Sequence, residues 1–196
     1  MSKVRYGLIL SFVGVAVLLL YGCMSQSQRA ALLKGPYTLQ VDYSASLADA
    51  LAAGRYGWTD SRLTPVNFPA PQAGTATLSG VLVQVSPEVT PEYLQTMAAP
   101  GMRPATLWEL LAFGKAYPEV QAKLPVIGLG SNVELMVDTY EHDFSVTMPP
   151  VTQVVPRPEH LYPFLGGGIA GRIVGLEWLG DPGGYGMYYA LFVKPQ

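Results

Sequence analysis

Three neighbouring residues carry the ligand types that divalent metal ions prefer: Glu141, His142 and Asp143. Carboxylates and imidazole suit such ions. Successive side chains of an extended chain point to opposite faces, however, so these three cannot all turn towards one ion in a strand. A complete site would need His160 or a distant carboxylate. The pattern therefore favours a solvated turn, and we predict no metal site and no cofactor.

Hydrolytic chemistry requires an activated nucleophile or a pair of acids. The sequence contains no Gly-x-Ser-x-Gly segment, and Ser131 is the nearest approach to one. A triad would also need a histidine as base and an aspartate to orient it. The spacing of the candidates supports no such triad; they are His142, His160, Asp138, Asp143 and Asp181. Any two of the 14 acidic residues could meet as the carboxylate pair of a glycosidase. We predict no catalytic residue from these patterns.

The glycines of residues 166–171 match the letters of a dinucleotide-binding fingerprint. That mechanism requires a strand before the glycines and a helix with an acidic residue after them, within a βαβ unit. Only 25 residues follow Gly171, which leaves little room for such a unit. The segment is therefore predicted to be a flexible glycine loop, either a mobile flap or the entry into the next strand, and the tolerance of glycine for positive φ explains its composition in both cases.

Aromatic residues are the remaining candidates for function. Twelve tyrosines and three tryptophans accompany few charges, and both residue types are common at binding surfaces. Trp58, Tyr185 and Tyr188 lie beside glycines, and we predict them as ligand contacts for a glycan or an envelope protein. Core packing is the alternative interpretation, and we prefer it for Trp108 and Trp178.

The N-terminal segment carries the only cysteine of the chain. Lys3 and Arg5 precede an uncharged, largely apolar run over residues 7–20, and Cys23 follows shortly after. A positive region followed by a short apolar region is typical of a secretory signal peptide. Three alternatives stay open: an uncleaved membrane anchor, a plain secretory signal with an incidental cysteine, and a buried helix with a free thiol.

The end of this segment resembles the lipobox of bacterial lipoproteins, which reads roughly Leu, a small residue, Gly or Ala, then Cys. Leu20, Gly22 and Cys23 match, whereas Tyr21 departs from the preferred small residue. The resemblance implies that Cys23 is diacylated on sulfur and becomes the new N-terminus. Each buried methylene of such a chain contributes about 0.8 kcal/mol to membrane binding. The predicted organisation is a signal peptide over 1–22, a lipidated tether over 23–35 and one domain over 36–196.

The resemblance also implies a location. We expect a membrane-anchored protein of the cell envelope. In a source with two membranes, Met24 rather than Asp after the cysteine favours the outer membrane, facing the periplasm.

Charge and cysteine content exclude some classes for the mature chain. Cleavage removes Lys3 and Arg5 from the 12 basic residues, which leaves ten against 14 acidic residues and a formal charge of −4. No basic cluster remains to bind nucleic acid, so we expect no such partner. A single cysteine forms no internal disulfide, and the length suits one domain of ordinary size.

Cap residues predict the helices. Ser44 or Ser46 would cap a helix from Leu47 to Ala53, with Gly54 in the C′ position. A second helix would begin at Pro91 after Thr90. A third would follow Thr106, with Glu109 completing a capping box, and end before Pro118.

Alternating and β-branched runs predict the strands. The predicted strands are 37–43, 75–85, 132–138, 144–148, 151–155, 172–179 and 187–193. The turn at Asp181 suggests that the last two form a hairpin. Strands and helices in segregated runs indicate a single α+β domain, with a mainly antiparallel sheet and two or three helices packed on it.

Three later segments are similar to a group of uncharacterised bacterial proteins, and also to C-type-lectin-like domains. They are residues 101–113, 125–131 and 191–194. The resemblance implies two helices before a twisted sheet that a late strand closes, and it transfers no catalytic or calcium-binding residue.

Together these patterns predict a lipid-anchored envelope protein that acts as a binding or structural module. An envelope hydrolase acting on wall or carbohydrate material is the alternative.

Overall fold

The first strand shows how the sheet forms. The computed structural model describes residues 35–85, 100–143, 151–168, 171–178 and 188–195. In β1 (Tyr37–Asp42) buried and exposed residues alternate strictly, because successive side chains of a strand point to opposite faces. β1 pairs antiparallel with β3 (Thr75–Val85). Both strands confirm the sequence prediction.

Several predicted features lie outside the described residues. They are the signal segment, Cys23, most of the tether, the helix after Thr90, the strand over 144–148, and Asp181 with Tyr185.

The helix α1 (Leu47–Gly54) follows the prediction except at its end. Ser46 is the N-cap, and its Oγ accepts a hydrogen bond of 3.1 Å from an amide of the first turn. The left-handed position is held by Arg55, with φ 51°, and not by Gly54 as predicted. Gly54 is the last helical residue, and a glycine is required there because a Cβ would collide with the Tyr56 ring.

Two further helices form a continuous unit. In α2 (Leu107–Ala116) the Glu109 carboxylate accepts a hydrogen bond of 2.7 Å from Thr106 N, as the predicted capping box requires. The short helix α3 (Pro118–Gln121) follows directly, and its proline suits a first helical position because its φ is already helical. The predicted end of α2 before Pro118 is confirmed.

Nine strands of the described residues form one mixed sheet. Besides β1 and β3, they are β2 (Trp58–Thr59), β4 (Arg103–Pro104), β5 (Val126–Ile127), β6 (Val133–Asp143), β7 (Val151–Gly168), β8 (Gly171–Trp178) and β9 (Tyr188–Pro195). Their order is β1-β3-β9-β5-β7-β8-β2, while β4 pairs with β9 and β6 with β7. Six ladders are antiparallel and two are parallel. With the three helices of the described residues, this sheet gives a domain of the α+β class.

The predicted C-terminal hairpin is wrong, because β9 lies in the middle of the sheet. β9 pairs with β3, β4 and β5, whereas β8 pairs with β7 and β2. Residues 188–193 are all buried. An apolar run without alternation suits a central strand that is covered on both faces. Burial of this run therefore outweighs the proximity of β8 along the chain.

β7 is much longer than predicted. The predicted strand ends at Val155, yet the strand continues through Pro156, Pro158 and Pro163 to Gly168. Proline is tolerated in a strand where the ladder needs no N–H at its position. At Pro163 the carbonyl still bonds, since it accepts a hydrogen bond of 2.9 Å from Gly128 N.

Two predicted loops are strand ends. Residues 141–143 close β6 rather than forming a solvated turn, since β7 supplies a partner for their backbone. The glycines of 166–168 close β7, and Gly171, with φ 88°, opens β8. The glycine segment is thus an entry into the next strand, one of the two predicted forms.

The sheet separates two apolar clusters. The larger one lies between the sheet and the helices, where β7 contributes Leu161 and Leu165. The smaller one lies on the opposite face, where β7 contributes Tyr162 and Phe164. Within the described residues, no helix is both long enough and apolar enough to span a bilayer.

Candidate binding surface

Trp58 is one of three large hydrophobic side chains exposed on the described part of the chain, with 48% of its surface accessible. It opens β2, the last strand in the sheet order. Gly57 N donates to Arg172 O at 2.8 Å, and Asp60 N donates to Val174 O at 3.0 Å. These bonds hold the short strand on both sides of Trp58. The backbone thus fixes the position of a side chain that is half in solvent.

The Trp58 ring lies against a glycine of β8. A Cβ on Gly175 would be 3.2 Å from Trp58 Cζ3 and 2.7 Å from Phe164 Cε1. Phe164 is directly opposite Gly175 in the β7–β8 register. Gly175 therefore leaves room for two aromatic rings at the sheet edge. We call the exposed Trp58 ring, together with the partly buried Phe164 and the buried Gly175 beneath it, the Trp58 surface.

A fixed ion pair lies on the same segment. Arg62 Nε donates to Asp60 Oδ1 at 2.9 Å, and Arg62 Nη2 donates to Asp60 Oδ2 at 2.7 Å. Burial disfavours the charged carboxylate, but the hydrogen bonds from Arg62 outweigh it and lower the pKa of Asp60. Arg62 is half-exposed, and the ion pair holds its guanidinium in one orientation.

The other predicted contact residues differ in outcome. Tyr188 is buried at 5% exposure and packs edge-on against Phe164, with ring centroids 6.2 Å apart. This is a core position and offers little surface to a ligand, because a central strand carries the residue. Tyr185 lies outside the described residues. Trp108 is buried and Trp178 packs partly buried against the core, as preferred from the sequence.

A second polar cluster is buried at the start of α2. Glu109, with no exposed surface, accepts hydrogen bonds from Arg103 Nη1 and Nη2 at 2.9 and 2.6 Å. Tyr43 donates to the same carboxylate. Burial opposes ionisation, but Arg103, Tyr43 and the Thr106 amide together lower the pKa of Glu109. Burial and the bond to Glu109 raise the pKa of Tyr43 to about 12. Every carboxylate oxygen is satisfied, which is typical of a structural cluster.

A third cluster surrounds Arg172 on the helical side. Its Nη1 donates to Gly114 O at 2.7 Å and to Gln121 Oε1 at 3.2 Å, and its Nη2 donates to Gly54 O. The guanidinium also lies over the Tyr56 ring, 5.4 Å from the centroid. A cation near the carbonyl ends of helices is favourable. Arg172 therefore joins the ends of α1 and α2 to β8, a role that the sequence analysis missed.

Of the residues weighed for catalysis, Ser131 has a structural position and His160 an exposed one. Ser131 Oγ accepts a hydrogen bond of 3.1 Å from Leu107 N, at the start of α2. His160 Nε2 is 3.9 Å from Glu134 Oε2, and both side chains are largely exposed. In the part of the chain that the structure describes, no three His, Cys, Asp or Glu side chains are grouped to hold a metal ion.

Comparison with known proteins finds no match to this chain among protein-family models, curated proteins or solved structures. The lipoprotein and C-type-lectin-like resemblances therefore rest on the quoted sequence segments alone.

Proposed function

We propose that the protein is a lipid-anchored cell-envelope protein that works by binding, with the Trp58 surface as its contact. The observation that carries this proposal is the position of Trp58, exposed on β2 at the opposite end of the sheet from β1. β1 is the strand that follows the tether.

The spacing of the strands supports this arrangement. Six strand-to-strand steps separate β1 from β2, which corresponds to about 29 Å at the usual interstrand distance. A short tether keeps the β1 edge within roughly 20 Å of the bilayer. The edge that carries Trp58 is then free to meet a ligand of the envelope, either a glycan or another protein.

The anchor is tested by mass spectrometry of the protein purified from membranes, on the intact chain and on its N-terminal peptide. We expect a mature chain that begins at acylated Cys23. Cys23→Ala should leave the protein uncleaved or release it from membranes. An intact Met1 terminus in the wild-type protein would overturn the lipoprotein part of the proposal.

Binding is tested on two fractions of the source cell, namely its purified wall glycan and its detergent-solubilised envelope proteins. We expect Trp58→Ala to lower retention on one fraction about tenfold or more, as for a central aromatic contact. Val66→Ala is the matched control, because Val66 is also exposed, at 89%, but lies in the connection between β2 and β3. Equal retention of both variants on both fractions would refute the role of Trp58.

A further inference from the structure

The strands β6 and β7 extend beyond the rest of the sheet as a two-stranded ribbon. Leu161 pairs with both Val133 of β6 and Trp178 of β8, so β6 and β8 lie on opposite edges of β7. Over residues Val151 to His160, β7 pairs only with β6 among the described strands. Ten residue pairs span about 33 Å. An isolated pair of strands is marginally stable in water, so such a ribbon gains from a third strand.

The outer edge of β7 is blocked. β5 and β6 lie on the same edge of β7. The carbonyl of Pro163 points to this edge, because it accepts a hydrogen bond from Gly128 N, directly after β5. The backbone N–H and C=O groups of successive residues in a strand point to opposite edges. Pro156 and Pro158 are an odd number of positions from Pro163, so their backbone groups point to the outer edge of β7, away from β6. Proline has no N–H to donate there. Prolines on an edge are a known way to prevent a further strand from pairing.

The outer edge of β6 has no such block. Its eleven residues contain no proline, and the register places Asp138 opposite Pro156 and Met136 opposite Pro158. These are pairs without mutual hydrogen bonds, so the amides of Met136, Asp138 and Tyr140 point away from β7. We propose that this edge binds an extended segment of another protein by β-strand addition.

The composition of β6 indicates the chemistry of that partner. The strand contains four acidic residues and no lysine or arginine: Glu134, Asp138, Glu141 and Asp143. Antiparallel pairing with β6 of a second copy would bring acidic strands together, and like charges opposite each other destabilise a sheet. The occupant is therefore an extended peptide segment that carries Lys or Arg. This inference does not depend on the Trp58 surface.

The test uses random dodecapeptides displayed on phage and selected against the full chain in detergent. We expect enriched peptides to carry Lys or Arg and no proline at alternate positions. Tyr140→Pro removes one outward amide and should weaken binding of the enriched peptide at least tenfold. Tyr140→Thr, which keeps the amide, should bind within about twofold of wild type. Equal binding to the Pro and Thr variants, or no enrichment over the starting library, would overturn the proposal.

Amide hydrogen exchange provides a second readout that does not depend on a variant folding. The enriched peptide should slow exchange at Met136, Asp138 and Tyr140, whose amides point outwards. Slowing elsewhere without these three would refute binding at this edge. A dimer of the free protein that Tyr140→Pro dissociates would refute the basic partner in favour of self-pairing.

Discussion

Tyr43 Oη donates a hydrogen bond of 2.5 Å to Glu109 Oε1, across 66 positions of sequence. Tyr43 directly follows β1, and Glu109 lies in the first turn of α2. Arg103 of β4 binds the same carboxylate. One buried charge therefore connects two strands and a helix that are distant along the chain.

Replacing Glu109 by Gln should destabilise the protein by about 2–3 kcal/mol. The change leaves the partly buried Arg103 guanidinium without its counter-charge, and breaking such a pair is costly. Urea unfolding followed by circular dichroism measures the effect. Glu134→Gln is the matched control, because its contact with His160 is exposed and should contribute less than about 1 kcal/mol. Equal losses of unfolding free energy in the two variants would contradict a stabilising role for the buried Glu109 carboxylate.

Acid should remove the contribution of Glu109. The pKa of Glu109 in the folded protein is below its ordinary value of 4.5, so the unfolded chain takes up the proton first as pH falls. Its stabilising contribution is complete well above pH 4.5 and is lost as pH falls through the folded pKa. Unfolding free energies measured between about pH 7 and pH 3 should therefore converge for wild type and Glu109→Gln. A difference that stays constant over this range would refute the prediction.

Gly114→Ala should destabilise the protein by about 1–3 kcal/mol, although alanine is the better helix former by about 1 kcal/mol. A Cβ at Gly114 would lie 2.5 Å from Tyr56 Oη and 2.9 Å from Leu165 Cδ1. The change in the urea midpoint measures this effect. Gly168→Ala is the control, since the nearest atoms to its Cβ are 3.9 Å away.

The double variant Gly114→Ala with Tyr56→Phe tests the cause of that loss. Removing the hydroxyl relieves the closest contact, and the Tyr56 hydroxyl has no hydrogen-bond partner among the described residues. Part of the stability should therefore return. No recovery would assign the loss to the contacts with Leu165 and Gln121 instead.

Truncation of Trp108 should cost much more stability than truncation of Trp58. Trp108→Ala should cost about 3–5 kcal/mol because the side chain is buried in the larger cluster. Trp58→Ala should cost less than about 1.5 kcal/mol, since half of its surface is already in water. Thermal unfolding followed by far-ultraviolet circular dichroism compares them without relying on tryptophan fluorescence. A large loss in Trp58→Ala would mean that the ring is there for packing.

Local patterns in the sequence were sufficient for the first strand, for α1 and for α2. Alternation over residues 37–42, the Ser46 cap and the pair Thr106 and Glu109 all involve residues within a few positions of one another. Their free energies depend little on the rest of the chain, so they can be predicted from the sequence. The α+β class follows from the order of such elements.

The partners of the strands were decided by tertiary structure. The sequence analysis paired β8 with β9 as chain neighbours, yet the fold inserts β9 between β3 and β5 because this buries its apolar run on both faces. The predicted strand stops at Val155, yet β7 continues through Pro156 and Pro158, because these prolines lie where the ladder with β6 needs no amide. Neither outcome is encoded in a short window of residues.

The clusters of polar side chains were decided in the same way. Glu109 was recognised as a cap, whereas its bonds to Tyr43 and Arg103 exist only once β1, β4 and α2 have packed together. Trp58 was a candidate contact by residue type, and its exposure depends on β2 being the last strand of the sheet. The sequence by itself determined local elements and candidate residue types, because these depend on neighbouring positions. Tertiary structure alone decided burial and pairing, because they depend on residues that are tens of positions apart.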